Sequence, residues 1–120
     1  SNGNVGIGTT NPQQLLDISG GSARAVSFIT TSDRRVKNNI QSISNALDIV
    51  KGLRGVYYTR IGNTQRDVGV IAQEVEEVLP EVVHTSGDDL KSVSYGNMVS
   101  VLVEAVKTLS ERLETLEKKG

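Results

Sequence analysis

The 120-residue chain contains no cysteine and no tryptophan, a single phenylalanine and only two prolines. Without cysteine, neither disulfides nor thiolate metal sites can form. Aromatic residues make up 3% of the chain and apolar residues 37%, so any core must be built from small aliphatic side chains. A core that thin in so short a chain gains from association with partners. Acidic and basic residues nearly balance, and a net charge of −1 leaves no electrostatic footprint for nucleic acid or an anionic membrane. No apolar run approaches the ~20 residues that span a bilayer. The single histidine, His84, has no carboxylate grouping that would suggest a metal site. No cofactor motif is present either: Gly6-Ile7-Gly8 lacks the third glycine and the following helix of a phosphate loop. The size fits one small domain with an appendage, and a chain that does not open on Met reads as part of something longer.

What is present changes texture near residue 31. Residues 1–31 are rich in Gly, Ser, Thr and Asn, with few charges. Val5 and Ile7 alternate with Gly6 and Gly8, Leu16 and Ile18 flank Asp17, and Ala25–Thr30 is rich in β-formers. These predict short strands broken at Asn11-Pro12 and Gly20-Gly21. Two or three such strands make no stable sheet alone, so they require partners from other chains or from further protein beyond this stretch.

From Ser32 to residue 120 the pattern is globular. Ser42 or Ser44 is expected to cap a helix through Ala46, Leu47, Ile49 and Val50, ended by Gly52. Gly55–Ile61 and Asp67–Ala72 read as strands around a turn at Gly62-Asn63. Gln73–Leu79 reads as a short helix stopped by Pro80, and Glu81–Thr85 and Leu90–Tyr95 as a second strand pair. The fold class is α+β: short β-hairpins, small helices and a long C-terminal helix over about residues 95–118.

That last helix carries the most regular signal. Val99, Val106 and Leu113 fall at heptad position a, and Leu102, Leu109 and Leu116 at d, with Tyr95 one step upstream at d. Arg112 at g and Glu117 at the next e form the pair that can bridge parallel chains. The stripe fits self-association or packing on the helix's own domain. Valine at a with leucine at d favours two strands rather than three. A coiled coil of about three heptads is marginal by itself, so the globular part must add contacts.

The residues that could do chemistry lie in Ser32-Asp33-Arg34-Arg35-Val36-Lys37-Asn38-Asn39-Ile40. A neutral lysine amine can strip the proton from a serine hydroxyl, provided the amine is desolvated or set near other cations such as Arg34 and Arg35. Fully extended, Ser32 and Lys37 would stand roughly 17 Å apart, so a dyad requires a turn, which the side chain of Asp33 can help form. By spacing alone, such a pair reads as solvated surface.

The same stretch resembles the opening signature of the self-cleaving intramolecular chaperones that end phage tail fibres, neck appendages and endosialidase tailspikes, with a relative in myelin regulatory factor. Gly69-Val70-Ile71-Ala72-Gln73-Glu74-Val75, followed by Val78-Leu79-Pro80-Glu81-Val82-Val83, is similar to that family's central block. Val93-Ser94-Tyr95 sits where its long helix begins, and the heptads through Leu116 match its terminal coiled coil. Upstream, Gly3-Asn4-Val5-Gly6-Ile7-Gly8-Thr9-Thr10-Asn11-Pro12 resembles a phrase of tail-fibre shafts.

The resemblance implies residues 1–31 as the end of a β-rich fibre shaft and 32–120 as a chaperone and autoprotease domain. It implies Ser32 as nucleophile, Lys37 as general base, the Thr31–Ser32 bond as the one cut, and a parallel homotrimer held at the coiled coil. The folding client and substrate would be the chain's own upstream shaft. Assembly would take place in the host cytoplasm, with the fibre kept on the virion and the released domain discarded. The alternative is a permanent trimerisation cap that never cleaves. Asp33 and Glu74 are supporting candidates at the dyad. His84 reads as surface, Glu74, Glu76, Glu77 and Glu81 as an acidic face, and Tyr57, Tyr58 and Tyr95 as packing residues.

Overall fold

The computed structural model describes residues 3–120, which form two compact units, one up to Gln41 and the other Ser42–Gly120. The Thr31–Ser32 bond falls within the first.

In the first unit, β1 (Val5–Ile7) pairs with β2 (Leu16–Ile18) in parallel, with Val5 opposite Leu16 and Ile7 opposite Ile18. The ladder continues at both ends, from Val5 N–H to the Leu15 carbonyl at 2.7 Å and from Ser19 N–H to the Ile7 carbonyl at 2.8 Å. The returning loop is tied by Asp17, whose carboxylate accepts the Gln13 N–H at 2.8 Å. Gly8 has φ +77°, and a Cβ there would stand 2.1 Å from the Ser19 carbonyl oxygen, so the loop can close only on glycine. The strand expected at Ala25–Thr30 does not form, and Val26 and Ile29 are fully exposed. Strand propensity needs a neighbouring backbone to satisfy its N–H and C=O groups, and among the described residues no strand pairs with this stretch.

The second unit opens with α1 (Ala46–Lys51). Neither Ser42 nor Ser44 caps it; Asn45 occupies the N-cap, without a side-chain hydrogen bond. Gly52 ends the helix as expected, and a Cβ on it would meet Val78 Cγ1 at 2.7 Å. Strands β3 (Val56–Thr59) and β4 (Arg66–Gly69) form an antiparallel hairpin, shorter than the sequence pattern suggests, with Gly62 at φ +85° in the turn. Arg66 lies over the Tyr57 ring at 3.6 Å, a cation–π contact across the outer face.

Helix α2 (Ala72–Val78) follows, and Pro80 opens a 3-10 turn over Pro80–Val82. Glu81 and Val82, expected in a strand, belong to that turn because proline presets its first helical position. A second hairpin pairs β5 (Val83–Thr85) with β6 (Lys91–Val93). A 3-10 turn at Tyr95–Asn97 then leads into α3 (Met98–Lys119), 22 residues long.

The core is Ala46 and Ile49 of α1, Val75 of α2, Leu79, Val82, and Val101 and Ala105 of α3. Every member is small or aliphatic, as the composition requires. At about 1.5–3 kcal/mol for each large aliphatic side chain buried, such a core is modest. Mixed α and β structure with short hairpins and a long C-terminal helix is therefore present in a single chain.

Candidate functional site

The residues after Thr31 are mostly polar and are exposed, and a local hydrogen-bond network shapes them. Asp33 is the N-cap of a 3-10 turn over Arg34–Val36, with φ −64° and ψ 139°. Its Oδ1 accepts the Arg35 backbone N–H at 2.8 Å and the Arg35 Nε at 3.1 Å, while Oδ2 accepts Nη2 at 2.9 Å. The turn is closed by Val36 N–H to the Asp33 carbonyl at 3.1 Å and by Lys37 N–H to the Arg34 carbonyl at 3.2 Å. Arg35 holds the Asp33 carboxyl below the usual carboxylate range, through the side-chain hydrogen bonds first and the backbone bond second.

The consequence lies at the end of the turn. Lys37 Nζ donates to Ser32 Oγ at 2.5 Å. Two residues that an extended chain would hold far apart are in contact because one turn of 3-10 helix folds the backbone between them. The same line of contact serves either protonation state: an ammonium donates along it, and a neutral amine can accept the serine proton.

Glu74 lies in the second unit, on α2, and its carboxylate is engaged by Arg54. Arg54 Nε donates to Oε1 at 3.1 Å and Nη2 to Oε2 at 2.7 Å, a two-pronged fork. Arg54 holds the Glu74 carboxyl below the usual range, chiefly through that hydrogen bond. Arg54 had no signal in the sequence, because nothing in the pattern pairs residues 20 apart. Of the other acidic residues, Glu76 pairs with Lys91 at 3.1 Å. His84 Nε2 and Ser94 Oγ are 2.7 Å apart across the second hairpin. Among the described residues no cluster of His, Asp and Glu converges as a metal site, and no helix is long and apolar enough to cross a membrane.

Helix α3 has two apolar faces. Val101 and Ala105, 2% and 3% exposed, pack into the unit's own core. The heptad residues Val99, Leu102, Val106, Leu109, Leu113 and Leu116 are all 48% exposed or more, although they are the most apolar stripe of the helix. Tyr95 stands ahead of the helix, and its hydroxyl accepts the Val70 N–H at 3.0 Å. Gly69 makes room for it: a Cβ there would lie 2.4 Å from the Tyr95 hydroxyl oxygen.

Comparison with known families matches residues 32–84 to the S74 peptidase family, described as chaperone of endosialidase. The chain belongs to the chaperone-of-endosialidase family. The match opens on Ser32, the residue the lysine amine touches, and runs through the second unit as far as His84. Among similar proteins, the long tail fiber protein Gp37 of Enterobacteria phage K3 is 42% identical over 97 residues, 73% of this chain and 8% of that protein. Gp37 of Salmonella phage S16 is 30% identical over 120 residues, 91% of this chain and 16% of that protein. Myelin gene regulatory factor-like A of Dictyostelium discoideum is 29% identical over 128 residues, 96% of this chain and 13% of that protein. The chain thus spans a small part of each relative's length.

Proposed function

We propose that this chaperone-of-endosialidase domain trimerises and folds a phage tail fibre, then releases itself by cutting the Thr31–Ser32 bond. The single observation that carries this reading is the Lys37 Nζ–Ser32 Oγ contact of 2.5 Å, on the residue where the family match begins.

The chemistry is a one-time acyl transfer. Neutral Lys37 takes the proton of Ser32 Oγ, and the oxygen attacks the Thr31 carbonyl carbon. The bond between that carbon and the Ser32 nitrogen breaks, and the nitrogen receives the proton from the Lys37 ammonium. The Thr31 acyl group is left as an ester on Ser32 Oγ, with the Ser32 amine free. One water then adds to the ester, returning the serine hydroxyl and leaving a carboxylate on Thr31. The domain departs with Ser32 as its amino terminus.

The exposed stripe of α3 supports the trimer. Six apolar side chains at a and d positions are left in solvent by a single chain, and a parallel coiled coil would cover them. Three joined ends raise the effective concentration of the shaft strands and fix their register. Exposed apolar groups on and beside the upstream strands, Val5, Ile7, Leu15 and Leu16 among them, are surfaces that chains aligned in this way would bury. Interchain β-pairing is slow and exposes unpaired edges until complete, which is where a chaperone helps. Cleavage afterwards removes the route back. Assembly of this kind belongs in the host cytoplasm, before the fibre joins the virion.

The test is a chain carrying its upstream shaft, followed on denaturing gels over time. Wild type should resolve into shaft and domain, while Ser32→Ala and Lys37→Ala should each stay at full length. A wild-type trimer that stays whole indefinitely would identify a permanent cap instead.

A further inference from the structure

We propose that Asp33 is the positioning residue of the cleavage site, acting as the cap that folds Lys37 back onto Ser32. This rests on the dyad reading given above and adds to it the element that creates the dyad's geometry.

A short 3-10 turn in water has little to hold it, since it forms few hydrogen bonds and buries nothing. Its first N–H groups have no partner within the turn. Asp33 supplies one: Oδ1 accepts the Arg35 N–H at 2.8 Å. The same carboxylate then grips the Arg35 guanidinium at 3.1 and 2.9 Å, fixing its own rotamer in the capping position. Two backbone bonds follow in series, ending at the Lys37 N–H, and only then does Nζ reach Ser32 Oγ. Asp33 touches neither reacting atom. It sets the probability that the lysine is in reach.

The arrangement also assigns Arg35. Its charge is spent on Asp33 rather than on the serine, so it serves as a brace for the cap. The backbone bond is the essential one and the guanidinium fork is secondary. Serine or asparagine at 33 can cap without the fork, whereas alanine can do neither.

In the full chain with its shaft, Asp33→Ala should slow cleavage about two- to thirtyfold, the range of a lost N-cap converted at tenfold per 1.4 kcal/mol. Asp33→Ser, Asp33→Asn and Arg35→Gln should stay within about twofold of wild type, because each keeps the cap. The midpoint of the pH–rate profile should be the same in Asp33→Ala as in wild type, since the cap changes reach and not the base. Cleavage by Asp33→Ala at the wild-type rate overturns the proposal, as does a midpoint that moves. Arg35→Gln as slow as Asp33→Ala overturns the backbone cap in favour of the ion pair. Loss of cleavage in Ser32→Ala and Lys37→Ala with no effect of Asp33→Ala leaves the dyad standing and removes only this inference.

A second measurement does not depend on cutting. In uncut Ser32→Ala chains, the Arg35 amide should exchange with solvent more slowly than in the same chain bearing Asp33→Ala, and Asp33→Ser should restore the slow rate. Equal exchange in all three overturns the cap.

Discussion

Lys37 Nζ and Ser32 Oγ meet at 2.5 Å across five residues of exposed chain, with no buried side chain helping to hold them. The contact is local in origin. It is made by a cap, a turn and a long flexible side chain, all within the first residues of the family match. Such a site can be built into an exposed segment without demanding anything from the core.

If lysine acts as a base, its charge alone is not enough. Lys37→Arg keeps the positive charge and most of the length, but a guanidinium stays protonated at any working pH. Cleavage should fall by roughly a hundredfold or more, the scale of general-base catalysis, when fragments are quantified over time. An arginine variant that cuts at the wild-type rate would show that Lys37 only orients the serine.

The two faces of α3 should respond differently. Leu109→Glu lies on the exposed stripe and should disperse the assembly in sedimentation while leaving the far-UV spectrum of the domain nearly unchanged. Val101→Ala, on the face packed into the core, should lower the melting temperature of the unit itself, at a cost of about 1–3 kcal/mol. If Leu109→Glu unfolds the domain and leaves the assembly size untouched, the exposed stripe is not an interchain seam.

Gly69 and Tyr95 should be coupled. Gly69→Ala places a methyl 2.4 Å from the Tyr95 hydroxyl oxygen and 3.2 Å from the Tyr58 ring, so something must shift. A loss of about 1–3 kcal/mol is expected from overpacking. Tyr95→Phe alone should cost about 1 kcal/mol for the bond to the Val70 N–H, and in its presence Gly69→Ala should cost less. Denaturant melts of the four chains give the cycle; strict additivity would contradict the contact.

Acid should act through Glu74. Arg54 depresses its carboxyl in the folded state, so the stabilisation is present above the unfolded value near ~4.3 and is lost as pH falls through the lower folded value. Melting temperature should therefore drop more steeply below about pH 4 in wild type than in Glu74→Gln. The pair is exposed, 64% for Arg54 and 37% for Glu74, so the difference should be small and should shrink in salt. Parallel curves would show that the fork contributes nothing.

Much of this protein can be read from periodicity, and what cannot has a common reason. The 3-4 spacing from Val99 to Leu116 marks the long helix because every step of the pattern is local. The same pattern could not show that α3 carries a second apolar face through Val101 and Ala105, since which face packs at home depends on where α1 lies. Pro80 and Gly52 were legible as stops, being residues whose backbone chemistry decides. Ser42 and Ser44 looked like caps because of their type, yet Asn45 holds the N-cap position. Ala25–Thr30 shows that propensity without a neighbouring strand yields no strand. At the site, the need for a turn between Ser32 and Lys37 follows from reach alone, and Asp33 was the residue suited to form it. The fork between Arg54 and Glu74 joins residues 20 apart and leaves no trace in the pattern.

The most direct test of the account is the intact mass of the purified protein carrying its upstream segment, read under denaturing conditions over time. The account predicts two species that meet between Thr31 and Ser32, a shaft ending in a Thr31 carboxylate and a domain beginning with a free Ser32 amine. One unbroken mass from the fully folded protein, or a break at any other bond, would contradict it.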